Sequence, residues 1–452
     1  MTRTGTVPAP PSKSFSHRKL IAASLAGGIS RLSRVLESDD TFRTMEVLRS
    51  VGAGIERTAA GEYAVTGLGG PPQGGRRTPV GCFINESGTS CRLLTAILAT
   101  GDGLFAVDGG KRLRQRPMAE LVETLAALGS NIAYEAEQGF LPLTITARGL
   151  AQLGEESWLP VRADVSSQFL SGLLLAAPLA RGGLRILLAG EKTVSWPYVS
   201  LTLQTLEDSG CRFDLSVLDD KTWVETGWRA MRAAHPGATR YRVHPGGYNP
   251  LTGDAAVVEG DYSGASYLLA AGAAGPSPVT VTGLRRDSLQ GDRAILDILE
   301  DMGAPVSWNG TGVTVSPGPL RGIDRDMGEC PDIVLTVAAL ACLAQGPTTI
   351  RGVPHLRDKE SDRLQAPALE LAKTGALVTF TDDYLHIVPP TERPAGSYAF
   401  RVYNDHRMAM SLALLERAGA RVSLDDPACV AKSFPGFWDA WRVVHPETRI
   451  AG

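Results

Sequence analysis

Six ionisable side chains crowd into the eight residues Leu356-Arg-Asp-Lys-Glu-Ser-Asp-Arg363. A helix beginning near Asp358 would set Lys359 and Arg363 four residues apart on one face, with Glu360 on the adjoining face. Two cations beside a carboxylate can hold an anion and move a proton; the bland alternative is a solvated helix face. Other clusters weigh against the bland reading. Ser12-Lys-Ser-Phe-Ser-His-Arg18, Ser87-Gly-Thr-Ser90, Ser166-Ser-Gln168, Pro331-Asp332 and Asn404-Asp-His-Arg407 each precede a helical pattern, and Ala431-Lys-Ser-Phe-Pro435 is a further cluster. Serine, aspartate and asparagine suit helix caps, and capping alone explains any single cluster. It does not explain the cations that recur beside them: Lys13, Arg18, Arg92, Arg116, Lys359, Arg363, Arg407 and Lys432. A cation opposes the dipole at a helix amino terminus, so an anion is expected to compensate.

The elements that must position these residues come from a repeat. A helix ending at glycine and running into a strand recurs at Gly52, Gly129, Gly210, Gly303 and Gly375, where a left-handed C-cap is expected. A second phrase, a helix of small apolar residues followed by a β-rich run, covers 20–35, 92–107, 169–187, 267–281, 335–350 and 408–422. The two alternate, and a terminal helical stretch over 437–444 completes six units. Each unit is too small to bury its own faces, so the sequence predicts an α/β protein in which three units pack into each of two domains. A polar, Gly/Pro-marked stretch over 226–252 is a candidate boundary region.

Composition narrows the partners. The 452 residues are 43% hydrophobic and 21% charged, with a net charge of -3 and a pI near 6.2. That balance argues against a broad nucleic-acid surface and leaves small anions bound in a local basic cleft. The six cysteines form no C-x-x-C pair and no metal-ligand spacing with the seven histidines, which fits a reduced compartment and no bound metal or other cofactor. Cys91 reads as a small buried side chain rather than a nucleophile. No apolar run is long enough to span a bilayer, and residues 1–11 carry no leader-like segment, so a cytoplasmic location with no membrane partner is expected.

The chain resembles the 5-enolpyruvylshikimate-3-phosphate (EPSP) synthase family over nearly its whole length. The resemblance rests on Lys359-Glu-Ser-Asp-Arg363, Asn404-Asp-His-Arg-Met-Ala-Met410, Val165-Ser-Ser-Gln-Phe169, Gln115-Arg-Pro-Met118 and Lys432-Ser-Phe-Pro435. It implies six βαβαββ-type units in two domains, with the active site in the interdomain cleft. One domain, 12–259, would carry mainly the shikimate 3-phosphate contacts. The other, 1–11 with 260–452, would carry the catalytic carboxylates and phosphoenolpyruvate contacts. The implied reaction is transfer of enolpyruvyl from phosphoenolpyruvate to the 5-hydroxyl of shikimate 3-phosphate through a tetrahedral adduct, releasing phosphate, in a monomer.

By the same resemblance, shikimate 3-phosphate falls to Lys13, Ser14, Arg18, Ser166, Ser167, Gln168, Ser195, Tyr198, Asp332, His355 and Lys359. Phosphoenolpyruvate falls to Lys13, Gly88, Arg116, Gln168, Arg363, Arg407 and Lys432. Asp332 and Glu360 are the implied acid–base pair, with Lys13 sharing proton transfer. Chemistry supports so many cations: one at about 4 Å from an anion contributes roughly 4 kcal/mol at an effective dielectric of 20. Two residues depart from the family's usual asparagines, Glu86 and His355. Glu86 is expected to be paired, with a cation such as Arg92, and held off the substrate; His355 is expected to support the shikimate 3-phosphate side. The rivals are a UDP-N-acetylglucosamine enolpyruvyl transferase, which carries Lys-Asn where this chain has Lys13-Ser14, and a non-catalytic anion-binding relative.

Overall fold

Glycine ends five helices as the repeat demands. Gly52, Gly129, Gly210, Gly303 and Gly375 stand at φ between 69° and 109°, where a Cβ would be strained. The structure, a computed structural model, describes residues 5–450 apart from 152, 153, 155, 165 and 311. Residues 1–4 of the amino-terminal segment and Val165 of the Ser-Ser-Gln motif therefore lie outside the described residues.

Two compact units divide the chain: residues up to Ser12 with Glu259 onward, and Lys13–Val258. Each contains three sheets. In the amino-terminal unit, Val80–Phe83 lies parallel to Asp102–Asp108, which pairs antiparallel with Leu143–Arg148, and that strand with Asn131–Tyr134. The same order recurs in the other unit, in Asp324–Asp326, Thr348–Arg351, Leu385–Val388 and Leu377–Phe380. It recurs again with Val279–Thr282, Gly312–Val315 and Val306–Trp308, but here the first strand is the remote Gly5–Pro8.

The remaining sheets are variations on this βαβαββ plan. One adds a strand, Thr222–Glu225, beyond Phe213–Asp219. Its central strand Thr239–Val243 is contributed by the polar 226–252 stretch, which is thus built into the amino-terminal unit. Another holds only Ile29–Leu32, Glu62–Thr66 and Gly54–Ala59. The last stops at the parallel pair Ser397–Phe400 and Arg421–Leu424, after which the helix Phe437–Val444 closes the chain's sixth unit.

The small-residue helices are Lys13–Leu25, Gly88–Ala99, Ser167–Ala176, Tyr262–Ala274, Val334–Ala341 and His406–Leu412. They are buried almost all round, which is why their sequences show no polar stripe. In four of the six units such a helix links two parallel strands, and in a fifth Tyr262–Ala274 begins beside the end of the parallel strand Gly5–Pro8, so its amino end opens near a strand's carboxyl end, the usual location of ligands in α/β sheets. Three of the polar clusters also supply true caps, Ser87, Ser166 and Asp405, and outside them Asp261 does the same: each accepts a backbone N–H of the helix it precedes.

The charge-dense stretch is not a helix. Residues 357–364 form turns between a 3-10 turn, Pro354–Leu356, and the helix Gln365–Leu371. Asp362 accepts the backbone N–H groups of Leu364 and Gln365, both at 3.0 Å, and Pro367 suits only a first turn. Those two signals start the helix seven residues later than the charge spacing suggests. Among the described residues no helix is long and apolar enough to cross a membrane.

Candidate active site

In the amino-terminal unit the predicted residues gather at the amino ends of packed helices. Lys13–Leu25, Gly88–Ala99, Ser167–Ala176 and Trp196–Asp208 contact one another in a closed cycle. Lys13 pairs with Asp40 at 3.0 Å. Arg18, 1% exposed, donates to Thr202 Oγ1 at 2.8 Å, to the Ser14 carbonyl at 3.0 Å and to the Tyr198 carbonyl at 2.9 Å. All three acceptors are neutral, and burial pulls its guanidinium down to about 10. Gln168 is held from both sides: Arg92 Nη1 donates to its Oε1 at 3.1 Å, and its Nε2 donates to Thr89 Oγ1 at 3.1 Å. Ser166 caps the Gln168 N–H, and Ser167 opens the helix. Ser195 stands at the N-cap position of Trp196–Asp208 with φ at 56°, a left-handed backbone that serine rarely adopts.

Arg116 is the most exposed to consequence of these residues. It is 7% exposed, and its guanidinium makes no hydrogen bond or ion pair among the described residues, with Nε buried. It lies against the bare Cα of Gly88: a Cβ there would stand 2.3 Å from Nη1. A buried guanidinium left this way is costly unless an anion meets it.

The carboxy-terminal unit gathers its predicted residues into an ion network. Arg363 donates to Asp405 at 2.8 and 3.1 Å, to Glu360 at 2.8 Å and to Asp332 at 3.3 Å. Arg407 pairs with Asp332 Oδ2 at 2.7 Å and donates to the Asp332 carbonyl at 3.0 Å and to Tyr267 Oη at 3.3 Å. Tyr267 in turn meets Phe437 edge-on, tying the network to the core. Burial opposes ionisation of Asp405, but Arg363 overrides it and holds the carboxyl below its usual range. Asp332 sits in the 3-10 turn Pro331–Ile333, and Lys432 ends the 3-10 turn Pro427–Lys432, which packs on His406–Leu412. His355 is buried in the 3-10 turn Pro354–Leu356, and Lys359 lies in the following bend.

Three acidic residues were not among the predicted site. Asp40 pairs with Lys13, and its signal was the Ser38 cap that starts the helix Asp39–Ser50. Asp405 stood inside the Asn-Asp-His-Arg motif and proves to be the main anchor of Arg363. Asp292, 2% exposed on the 3-10 turn Gly291–Ala294, accepts from Ser263 Oγ. Burial, followed by the negative charge of Asp332, raises it to about 7. No sequence spacing announced it.

Two expectations meet the structure directly. Cys91 is fully buried, and burial pushes its thiol up to about 11, so it is no nucleophile. Glu86 is held by backbone, while the Arg92 guanidinium donates to Gln168 and the Pro117 carbonyl. Its carboxylate accepts the backbone N–H groups of Arg112 and Leu113 at 3.2 and 2.8 Å. A turn with free N–H groups lies within reach, and it satisfies a carboxylate as a cation would.

Six related α/β units, three to each compact unit, with buried arginines in both, share their fold with solved enolpyruvyl transferases. An EPSP synthase (3-phosphoshikimate 1-carboxyvinyltransferase) family model matches residues 2–441, and the chain belongs to that family. The 3-phosphoshikimate 1-carboxyvinyltransferase of Thiobacillus denitrificans is 40% identical over 444 residues, 98% of this chain and 97% of the relative. That of Serratia proteamaculans is 38% identical over 439 residues, 96% and 95% of the two chains. Among solved structures, EPSP synthase from Acinetobacter baumannii superposes with a TM-score of 0.73 at 24% identity, over 97% of this chain and 95% of that one. The enolpyruvyl transferase NikO from Streptomyces tendae gives 0.70 at 18% identity, over 97% and 94%. At these identities the structural likeness is one of fold. Family membership makes the chain a transferase that moves enolpyruvyl from phosphoenolpyruvate to shikimate 3-phosphate, a step of aromatic biosynthesis.

Proposed function

We propose that residues of both units serve this one pair of substrates, in the roles the motifs suggest. Lys13, Ser14, Arg18, Ser166, Ser167, Gln168, Ser195 and Tyr198 take shikimate 3-phosphate, together with Asp332, His355 and Lys359 of the other unit. Phosphoenolpyruvate is taken by Lys13, Gly88, Arg116 and Gln168, and by Arg363, Arg407 and Lys432. The observation that carries this reading is the pair Arg18 and Arg116, two buried guanidiniums with no carboxylate partner among the described residues. Each is expected to be completed by a ligand anion rather than by the protein.

The chemistry then divides as follows. Asp332 accepts the hydrogen bond of the 5-hydroxyl and takes its proton as the oxygen attacks C2 of phosphoenolpyruvate. Glu360 delivers a proton to C3, so that C2 becomes tetrahedral. Elimination breaks the C2–O bond to phosphate, returns the C3 proton to Glu360 and leaves the enol ether. Lys13, beside Asp40, neutralises charge and shares the proton traffic.

The test is phosphate release from phosphoenolpyruvate with each acceptor supplied separately. Release with shikimate 3-phosphate and none with UDP-N-acetylglucosamine supports the reading. Release only with the nucleotide sugar replaces it with the rival transferase. Saturable binding of shikimate 3-phosphate without release leaves an anion-binding protein.

A further inference from the structure

The Glu86 carboxylate helps to fix where Arg116 begins. Asn85, at φ 53°, accepts the Gly110 N–H at 2.8 Å, bringing its segment against residues 109–113. Glu86 then meets the Arg112 N–H through Oε1 and the Leu113 N–H through Oε2. These N–H groups open the 3-10 turn Leu113–Gln115, where no carbonyl of the turn can reach them. A carboxylate there makes charge-assisted bonds, roughly twice as strong as neutral ones. Gly110 makes the room: its φ is not left-handed, yet a Cβ on it would stand 2.1 Å from Glu86 Oε1.

The turn is held a second time from Arg114, whose Nε and Nη2 grip Asp108 at 2.9 and 2.5 Å. Its last carbonyl-bonded residue is Arg116, whose N–H donates to the Leu113 carbonyl at 3.0 Å. Pro117 restricts Arg116 to an extended backbone, observed at φ -94° and ψ 134°. The base of the side chain is therefore set by the turn that Glu86 caps, and its head by the bare Cα of Gly88. Glu86 and Gly88 are two residues apart, so one short segment fixes both ends of the same arginine.

We propose that Glu86 is a positioning residue for Arg116, acting through the turn Leu113–Gln115 and made possible by Gly110. The proposal rests on the reading of Arg116 as a phosphoenolpyruvate ligand. It also assigns a use to a carboxylate that would otherwise repel an anionic substrate: its charge is spent on backbone N–H groups.

The experiment is a double-mutant cycle of Glu86→Ala and Arg116→Ala, with steady-state kinetics for both substrates. Glu86→Ala should raise the KM for phosphoenolpyruvate on the order of tenfold, equivalent to losing part of one charged contact. The KM for shikimate 3-phosphate should stay within about twofold, a split that general loosening of the fold would not give. In the Arg116→Ala background the same substitution should add little, because the residue through which it acts is gone. Gly110→Ala, which keeps the carboxylate but fills its seat, should reproduce the phosphoenolpyruvate-specific effect if Glu86→Ala folds poorly. A lowered or unchanged KM for phosphoenolpyruvate in both Glu86→Ala and Gly110→Ala overturns the proposal, as does a Glu86→Ala effect that persists undiminished without Arg116. Wild-type protein that fails to turn over the two substrates would instead overturn the reading of the reaction.

Discussion

The buried arginines of the two units live in opposite circumstances. Arg18 and Arg116 face neutral oxygens or bare carbon. Arg363 and Arg407 share three carboxylates, Asp332, Glu360 and Asp405. The first set is incomplete without an anion and gains directly when one arrives. The second is complete beforehand, so a ligand anion must compete for the guanidiniums. What it competes with are Asp332 and Glu360, the proposed proton-transfer groups. On those roles, binding at the second set loosens the acid and base from their ion pairs at the moment they are needed. One set is organised for affinity and the other for coupling affinity to chemistry.

The sharpest way to break this contrast is at Glu360. Glu360→Gln should lower kcat by roughly 10²–10⁴-fold while changing either KM only modestly, the usual scale of a lost general acid or base. Unimpaired kcat would remove Glu360 from the chemistry and leave it a structural partner of Arg363. The next largest effect is on stability without substrates. Arg363→Met strands Asp405 and its neighbours and should cost about 3–5 kcal/mol in denaturant unfolding. Arg116→Met removes a cation with no protein partner and should cost almost nothing, or stabilise. Equal losses would erase the distinction between the two sets.

A third comparison uses ligand. Shikimate 3-phosphate at a hundredfold excess over its Kd should stabilise the wild type by about 2.7 kcal/mol. Arg18→Met should lose most of that gain in thermal unfolding; an undiminished gain would show that Arg18 does not receive the phosphate. Read per pH unit, the smallest effect concerns pH. Asp292 is raised to about 7 by burial and by Asp332, with Asp261 adding to the same direction and Arg407 opposing it. The folded value lies above the unfolded one, so the contribution to stability is fully present below about pH 4. It is lost as pH rises through 7. Within that window wild type should lose stability relative to Asp292→Asn at roughly 1.4 kcal/mol per pH unit. Parallel pH profiles would show Asp292 ionised in the folded protein.

What was legible in the sequence was whatever rested on local signals. Gly52 or Gly303 marks a helix end by its own backbone, and small-residue helices announce burial without reference to distant partners. The architecture followed from counting them. What was not legible depended on residues far away along the chain. The stretch Leu356–Arg363 carries helix-like charge spacing, but Arg363 is drawn to Asp405, 42 residues on, and the backbone turns to deliver it. Glu86 was read as restrained, but its backbone partners were not foreseen, since backbone N–H groups leave no trace in composition. Asp292 carries no motif at all; its raised proton affinity comes from a burial that only packing creates.

The strand Gly5–Pro8 has a consequence for how the chain is made. It pairs with Val279–Thr282, whereas Lys13–Val258 forms a compact unit from uninterrupted sequence. At about 5–20 residues per second a ribosome needs on the order of tens of seconds to pass from one strand to its partner. The interrupted unit's strand Gly5–Pro8 is thus translated well before its partner and must wait through synthesis of the other unit. Its four residues are short, and Pro8 lacks an N–H, features that limit pairing with the wrong edge meanwhile. Substitutions that disrupt Gly5–Pro8 should therefore disturb the unit containing Val279–Thr282, rather than the one that begins five residues later.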